Sequence, residues 1–212
     1  MILVVGGEKG GSGKSTLAQN LAVFLAKDGH DVLLLDADPQ ATTRDWAAER
    51  QGNEGLVALA FEHATGDLRK TLEDRAKRYQ TIVVDAGGAD SQALRSSMTI
   101  ATHLLLPLRP KRRDLKTLPN LDQMITQAKT INPGLEVRAV ISQCPPLPSQ
   151  VTRILDAKEA CRSFGIEPLE AITMQRNAFD DADENGESVY EIRPVDAKAI
   201  EEIDAIANEI WS

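Results

Sequence analysis

The sequence has 212 residues, of which 42% are hydrophobic and 26% are charged, and its formal net charge is −8. This length suffices for one domain with a buried core, and the negative charge means that contact with nucleic acid requires a local basic patch. Cys144 and Cys161 lack the spacing of a metal site or a disulfide framework, and no apolar run is long enough to cross a membrane. A cytoplasmic protein is therefore predicted.

The first elements of the chain predict a site for an anion. The apolar run from Ile2 to Val5 predicts a buried strand, and apolar residues at helical spacing predict a helix from Lys14 that ends near Gly29. Between them lies a segment, Gly6–Thr16, that we call the glycine loop. Strand, glycine loop and helix in this order let backbone N–H groups surround a phosphate, and the helix N-terminus adds positive potential.

Individual residues of the glycine loop have predicted roles. Lys14 is expected to reach the β- and γ-phosphates of a nucleotide, and the Ser15 hydroxyl is expected to bind Mg²⁺. The predicted nucleotide-binding residues of the loop are Gly10, Gly11, Ser12, Gly13, Lys14, Ser15 and Thr16. The common pattern G-x-x-x-x-G-K-[ST] fails at Glu8, and a second lysine, Lys9, stands at the front of the loop. A glycine turn with incidental lysines is the alternative, but it leaves the flanking strand and helix unexplained.

Apolar runs alternate with helical patterns along the rest of the chain. Further strands are predicted at Val32–Leu35, Leu56–Phe61, Thr81–Asp85, Leu104–Leu106 (closed by Pro107), Val137–Ile141 and Leu169–Ile172. Helices are predicted to begin near Thr42 and to cover Leu68–Arg78, Leu115–Thr130, Val151–Phe164 and Val195–Trp211. This alternation predicts a single α/β domain over residues 1–212, with a mostly parallel, twisted sheet and helices on both faces. The isoleucines of the last helix are expected in the core, and its acidic polar face argues against membrane binding.

Three aspartates follow predicted strands. Asp36 and Asp38 come at the end of the second strand, and Asp85 ends a later one. Ligands of open α/β sheets bind at the carboxyl ends of strands, where the glycine loop also lies. Asp85 is predicted to hold Mg²⁺ through water, whereas Asp36 and Asp38, expected to point to one side of an extended chain, would share metal binding and water orientation. Helix capping by these carboxylates is the alternative.

Lys9–Thr16, Leu35–Gln40 and the strand that ends at Asp85 together resemble the ParA superfamily of partition ATPases and its deviant Walker A motif. The sequence is most similar to small, ParF-like members, which lack an N-terminal DNA-binding domain. The likeness continues in Leu106-Pro107, Ala171–Arg176 and Gly186–Val189. The resemblance implies a P-loop NTPase fold, ATP and Mg²⁺ as ligands, and hydrolysis. It makes Lys9, Lys14 and Asp38 the catalytic residues and Ser15, Asp36 and Asp85 the metal residues.

The resemblance also implies partners. Lys9 would contact the nucleotide of a second subunit, so that ATP drives a homodimer and hydrolysis returns the monomer. A centromere-binding adaptor and non-specific DNA are implied, with nucleoid association in the ATP state. Pro107 and Arg176 would lie near the nucleotide, although an ion pair with Asp180 is an alternative for Arg176. The chain departs from the family at Glu8 and at 86–88, where Ala-Gly-Gly replaces a frequent Thr-Pro-Pro.

A basic run follows Pro107. It consists of Arg109, Lys111, Arg112, Arg113 and Lys116, against one acid, Asp114. In a chain of net charge −8, this concentration indicates contact with the DNA backbone, although a solvated helix start or a role at the nucleotide remains open. DNA partition and the positioning of a protein cargo are both compatible with the sequence. A small-molecule kinase has no need of Lys9.

Overall fold

The computed structural model describes residues 1–88 and 91–211. Its strands are β1 (Ile2–Val5), β2 (Val32–Asp36), β3 (Ala60–His63), β4 (Thr81–Asp85), β5 (His103–Leu108), β6 (Glu136–Cys144) and β7 (Glu167–Met174). These strands form a seven-stranded sheet in the order β3-β2-β4-β1-β5-β6-β7, and their pairings are parallel. The predicted α/β class and parallel sheet are confirmed.

Helices cover both faces of the sheet. They are α1 (Lys14–Lys27), α2 (Thr42–Gln51), α3 (Arg69–Arg75), α4 (Gln92–Met98), α5 (Arg112–Leu115), α6 (Leu118–Ile131), α7 (Val151–Ser163), α8 (Asn177–Asp183) and α9 (Ala197–Trp211). One apolar layer joins the sheet to α3, α4, α6 and α7, and the other joins it to α1, α2, α8 and α9. Every residue of β1, β2 and β4 is buried, because apolar side chains on both strand faces meet a helical layer.

Three departures from the predicted elements have a clear physical reason. The third strand begins at Ala60, because Val57 instead binds a buried ion pair: its N–H donates to Glu191 (2.9 Å) and its carbonyl accepts from Arg50 (2.6 Å). The predicted helix 115–130 begins only at Leu118, as α6, and the short helix α5 precedes it, since Pro119 fits the first turn of a helix and is not tolerated in a helix interior.

The third departure concerns Pro107, which lies within β5 rather than after it. Leu105 accepts a hydrogen bond from the Gly6 N–H (3.1 Å), so its backbone faces β1. Pro107, two residues later, faces the same side, but β1 has already ended at Val5. The proline therefore removes no hydrogen bond from the sheet.

The segment Gly186–Val189 packs against α2. The Trp46 indole donates to the Glu187 carbonyl (2.9 Å), and Arg50 donates to the Gly186 carbonyl (2.9 Å). A Cβ on Gly186 would lie 2.8 Å from the Trp46 carbonyl oxygen, and Gly186 has a φ of 65°. Both observations require glycine here. The segment Gly186–Val189 therefore holds α2 in position through Trp46 and Arg50.

The last helix protects an edge of the sheet. As predicted, its residues Ile203, Ile206 and Ile210 are buried. Two carboxylates on its polar face bind strand β7: Glu209 accepts the N–H groups of Glu170 and Ala171, and Glu202 accepts that of Met174. Edge-strand N–H groups are thereby paired. Among the described helices, none has the length and hydropathy needed to cross a bilayer.

Candidate functional site

A cavity of about 530 Å³ lies at the carboxyl ends of the central strands. Its walls are Gly10, Gly11, Gly13, Lys14, Ser15, Thr16, Asp38, Pro39, Gln40, Thr42, Gly88 and Gln143. The structure thus brings most of the predicted glycine-loop residues together with Asp38. This is the position at which parallel α/β sheets bind ligands.

The glycine loop is shaped by its own contacts. Gly11 and Gly13 have φ values of 69° and 86°, which an L side chain rarely adopts. The buried Ser12 donates its hydroxyl to the Lys9 carbonyl (3.3 Å), and its own carbonyl accepts from the Ser142 hydroxyl of β6 (2.8 Å). The loop therefore holds its curved form through contacts within itself and with a neighbouring strand.

Lys14 lies folded against the glycine loop. Its ammonium group donates to the Lys9 carbonyl (2.9 Å), and only 6% of the residue is exposed. Burial lowers the pKa of Lys14, whereas the carboxylates of Asp85 and Asp38 act in the opposite direction. The ammonium group is thus placed between the loop and two acidic side chains, where a phosphate group would be bound from several sides.

Asp85 is fully buried at the end of β4. Its Oδ2 accepts a hydrogen bond from the Thr43 hydroxyl (2.7 Å), whereas its Oδ1 is buried with no hydrogen-bond partner in the described part of the chain. Burial raises the pKa of Asp85 to about 6, against the effects of the Thr43 hydrogen bond and of the nearby Ser15 hydroxyl.

These features fit the predicted Mg²⁺ site. An orphaned carboxylate oxygen near the Ser15 hydroxyl offers hard oxygen ligands. No group of three or more His, Cys, Asp or Glu side chains among the described residues forms a metal cage. Mg²⁺ usually retains waters and phosphate ligands instead of such a cage. The donor set is therefore appropriate for Mg²⁺ that arrives with a nucleotide.

Asp36 and Asp38 have different surroundings. Asp36 is fully buried, and its two oxygens accept the N–H groups of Asp38 (2.9 Å) and Arg44 (2.8 Å). The Ala37 N–H still donates to the Asp85 carbonyl (2.9 Å) beyond the end of β2, but only Asp38 is in the cavity wall. That both aspartates point to one side stays a prediction. Asp36 as a metal residue stays a prediction.

Two glycines after β4 allow close packing around Asp38. A Cβ on Gly87 would lie 3.0 Å from the Asp38 Cγ, and a Cβ on Gly88 would lie 3.3 Å from the Glu8 carbonyl oxygen. Both distances are shorter than ordinary contacts between Cβ and neighbouring atoms. The departure Ala-Gly-Gly at 86–88 therefore has a steric reason: the segment touches both Asp38 and the glycine loop.

Arg109 differs from the rest of the basic run. Its guanidinium donates to buried Asp114 through Nε (2.7 Å) and Nη2 (3.2 Å), and its Nη1 lies 3.5 Å from the Cβ position of Gly11. It therefore belongs to the surroundings of the glycine loop. The remaining cations are exposed and form no ion pair within the described residues: Lys111, Arg112, Arg113 and Lys116.

Of the two residues predicted to lie near the nucleotide, Arg176 lines a cavity beside the glycine loop and Pro107 does not. Arg176 donates to Glu202 through Nε (2.8 Å) and Nη2 (2.6 Å), so the alternative pairing with Asp180 is wrong. Arg176 also lines a cavity of about 110 Å³ that borders Gly13 and Thr16, which puts it beside the glycine loop. Pro107 is buried within β5 and is in the wall of neither cavity. Nucleotide binding by both residues stays a prediction.

Sequence reasoning missed Thr43 and Gln143. Gln143 has a φ of 49°, and its backbone N–H donates to the Thr173 hydroxyl (3.1 Å). Its side-chain Nε2 would lie 3.6 Å from a Cβ placed on Gly13. The available signal was its place at the end of a predicted apolar strand, at the same sheet edge as the aspartates. No motif marked it.

Comparisons with known proteins agree with this geometry. The chain is 28% identical over 211 residues to "Maintenance of carboxysome distribution protein A" of Halothiobacillus neapolitanus, covering 98% of this chain and 95% of the relative. It is 26% identical over 213 residues to "Protein ParA" of Rhizobium radiobacter, covering 99% and 96%.

A solved structure has the same fold. It is an ATP complex of a variant of Cyanothece McdA, with a TM-score of 0.78, 14% identity, and coverage of 98% of this chain and 95% of that one. The family model "CobQ/CobB/MinD/ParA nucleotide binding domain" matches residues 3–203. With the glycine loop, Lys14 and Asp38 around one cavity, the chain belongs to the CobQ/CobB/MinD/ParA nucleotide-binding domain family.

Proposed function

We propose that this chain is an Mg²⁺-dependent ATPase that dimerises when it binds ATP and positions a cargo along DNA. The observation that carries the proposal is the cavity in which Lys14, Ser15 and Asp38 converge while the side chain of Lys9 remains exposed. Lys9 uses only its backbone carbonyl to bind Lys14, so its ammonium group is available to a second molecule.

Catalysis in this proposal is positioning and electrostatic stabilisation. Lys14 would bind the β- and γ-phosphates, and Ser15 and Asp85 would hold the metal ion, Asp85 through water. The metal ion, when bound, neutralises charge on the phosphates. Asp38 orients the attacking water, because one of its oxygens is held by the Gln40 N–H (2.9 Å) and the side chain borders the cavity. Lys9 of a second copy adds positive charge at the γ-phosphate.

The proposal is tested by the mass of the protein in solution. We expect a monomer with Mg²⁺ and ADP, a dimer with Mg²⁺ and ATP, and release of phosphate over time. Light scattering after size exclusion gives the mass, and a phosphate assay gives turnover. A protein that hydrolyses ATP but stays monomeric contradicts the dimer switch, and a protein that binds no nucleotide contradicts the whole proposal.

DNA binding is assigned to the exposed cations Lys111, Arg112, Arg113 and Lys116. We expect Arg112→Glu with Arg113→Glu to weaken ATP-dependent binding to non-specific duplex DNA about 10-fold or more, because phosphate contacts and counterion release are lost. ATP binding should be unchanged. Co-sedimentation over a series of salt concentrations measures the affinity, and the wild type should show the steeper salt dependence.

The control is Lys70→Glu with Lys198→Glu. Both lysines are exposed, both lie outside the basic run, and the change in net charge is the same. If this control loses DNA binding to the same extent, total charge is responsible and the assignment to the basic run fails.

Two cargoes are proposed. The sequence features favour plasmid or chromosome partition through a centromere-binding adaptor, and the relative called ParA supports this candidate. A protein assembly is the second candidate, which the relative named for carboxysome distribution supports. Deletion of the gene distinguishes them: partition predicts loss of a replicon, whereas the second candidate predicts clustering of a protein assembly with replicons retained.

A further inference from the structure

Thr43, on helix α2, contacts Asp85, the carboxylate predicted to hold Mg²⁺. It lies in the first turn of α2 and is 0% exposed. Its hydroxyl is 2.7 Å from the Asp85 Oδ2 and 3.2 Å from the Gln19 Nε2. The Gln19 amide nitrogen can only donate, so the Thr43 oxygen accepts from it and the single hydroxyl proton goes to Asp85.

Gln19 extends this connection. It lies on α1, is 2% exposed, and its side-chain amide donates to the Thr43 hydroxyl on α2 (3.2 Å). Two buried hydrogen bonds thus connect α1 through α2 to the end of β4. In a low-dielectric interior such bonds polarise one another and define one arrangement.

The geometry leaves one oxygen of Asp85 open. Oδ2 is taken by Thr43, whereas Oδ1 has no partner in the described part of the chain. Thr43 also lies in the first turn of α2, the helix that follows the Asp38 segment, and its neighbour Arg44 donates its N–H to Asp36. The start of α2 is therefore tied to both β2 and β4 at their carboxyl ends.

We propose that Thr43 is a positioning residue: its hydroxyl fixes the Asp85 carboxylate so that Oδ1 is left free to face the metal and its water. Through the same hydrogen bond, metal binding at Asp85 changes the position of α2. The inference rests on the proposed nucleotide function. It predicts that removal of one hydroxyl weakens the response to Mg²⁺ without weakening nucleotide binding itself.

Trp46 reports the position of α2. It is 2% exposed, lies one turn after Thr43 and donates its indole N–H to Glu187 (2.9 Å). The chain contains two tryptophans, so Trp211→Phe makes Trp46 the single fluorophore. In this background, ADP affinity and Trp46 emission are measured first in EDTA and then with MgCl₂.

We expect Mg²⁺ to raise ADP affinity and to change Trp46 emission in the background protein. Thr43→Val, which keeps the shape but removes the hydroxyl, should reduce the Mg²⁺-dependent gain in affinity about 10-fold and abolish the emission change. ADP affinity in EDTA should be unchanged, whereas the thermal midpoint should fall by a few degrees, because Asp85 and Gln19 lose a buried hydrogen-bond partner. Thr43→Ser, which restores the hydroxyl, should restore both Mg²⁺ responses, which a purely structural role would not require.

Other outcomes overturn the inference. Full Mg²⁺ responses in Thr43→Val, failure of Thr43→Ser to restore them, or Mg²⁺ binding to the background without an emission change each contradict it. If Thr43→Val does not fold, Gln19→Met removes the donor that fixes the direction of the Thr43 bond, and an undiminished emission change in that variant also contradicts it. A background protein that binds no ADP in either condition contradicts the proposed nucleotide function instead.

Discussion

Replacing Asp38 with alanine is expected to abolish ATP hydrolysis while ATP remains bound. Asp38 borders the cavity, and its Oδ1 accepts the Gln40 N–H, whereas phosphate binding is assigned to the glycine loop and Lys14. Loss of a group that positions the attacking water lowers turnover by about 100-fold or more. A phosphate assay measures turnover, and a fluorescent ATP analogue measures binding.

Asp45→Ala is the matched control for this variant. Asp45 is on α2, the helix that follows the Asp38 segment, and it pairs with exposed Arg44; 67% of its side chain is exposed. The control should hydrolyse ATP at the wild-type rate. If Asp38→Ala also retains turnover, another group orients the water, and the assignment of Asp38 is wrong.

Replacing Lys9 with alanine is expected to remove ATP-dependent dimerisation. The side chain is exposed, and the backbone carbonyl that binds Lys14 is kept in the variant. Each subunit should therefore still bind ATP. Loss of a buried charge contact across an interface costs about 2–5 kcal/mol, so we expect a dimer at least about 30-fold weaker. Light scattering over a concentration series measures this constant.

Lys129→Ala controls for the loss of one exposed lysine. Lys129 lies in the last turn of α6, away from the glycine loop, and its removal should leave the dimer unchanged. If Lys9→Ala dimerises with ATP as the wild type does, Lys9 does not cross the interface. Reduced ATP binding by the monomeric variant would instead assign Lys9 to its own subunit's nucleotide.

The sequence predicted the central strands because their burial on both faces leaves a continuous apolar run, as in Val32–Asp36 and Thr81–Asp85. It misplaced the third strand because Val57 satisfies its backbone through Arg50 and Glu191, more than 100 residues apart in the chain. The short helices α4 and α8, of 7 residues each, were missed because they have too few turns for a clear period, whereas the equally short α3 was predicted within the longer pattern Leu68–Arg78.

The parts of the site that were predicted are those whose residues lie close together in the sequence. The glycine loop and Asp38 are recognisable within short segments, and the structure brings them to one cavity. Thr43 was missed because its function depends on Asp85, a partner 42 positions away. Arg109 was grouped with its neighbours by charge, yet burial of Asp114 gives it a different partner and place. Contacts between distant segments were the part that local patterns could not supply.

The carboxylates that α9 directs at β7 limit how copies of this chain can assemble. A second molecule that sought to extend the sheet from this side would have to displace Glu202 and Glu209 from the N–H groups of Glu170, Ala171 and Met174. It would also bring its chain against two negative charges. Polymers built by strand addition at β7 are therefore disfavoured.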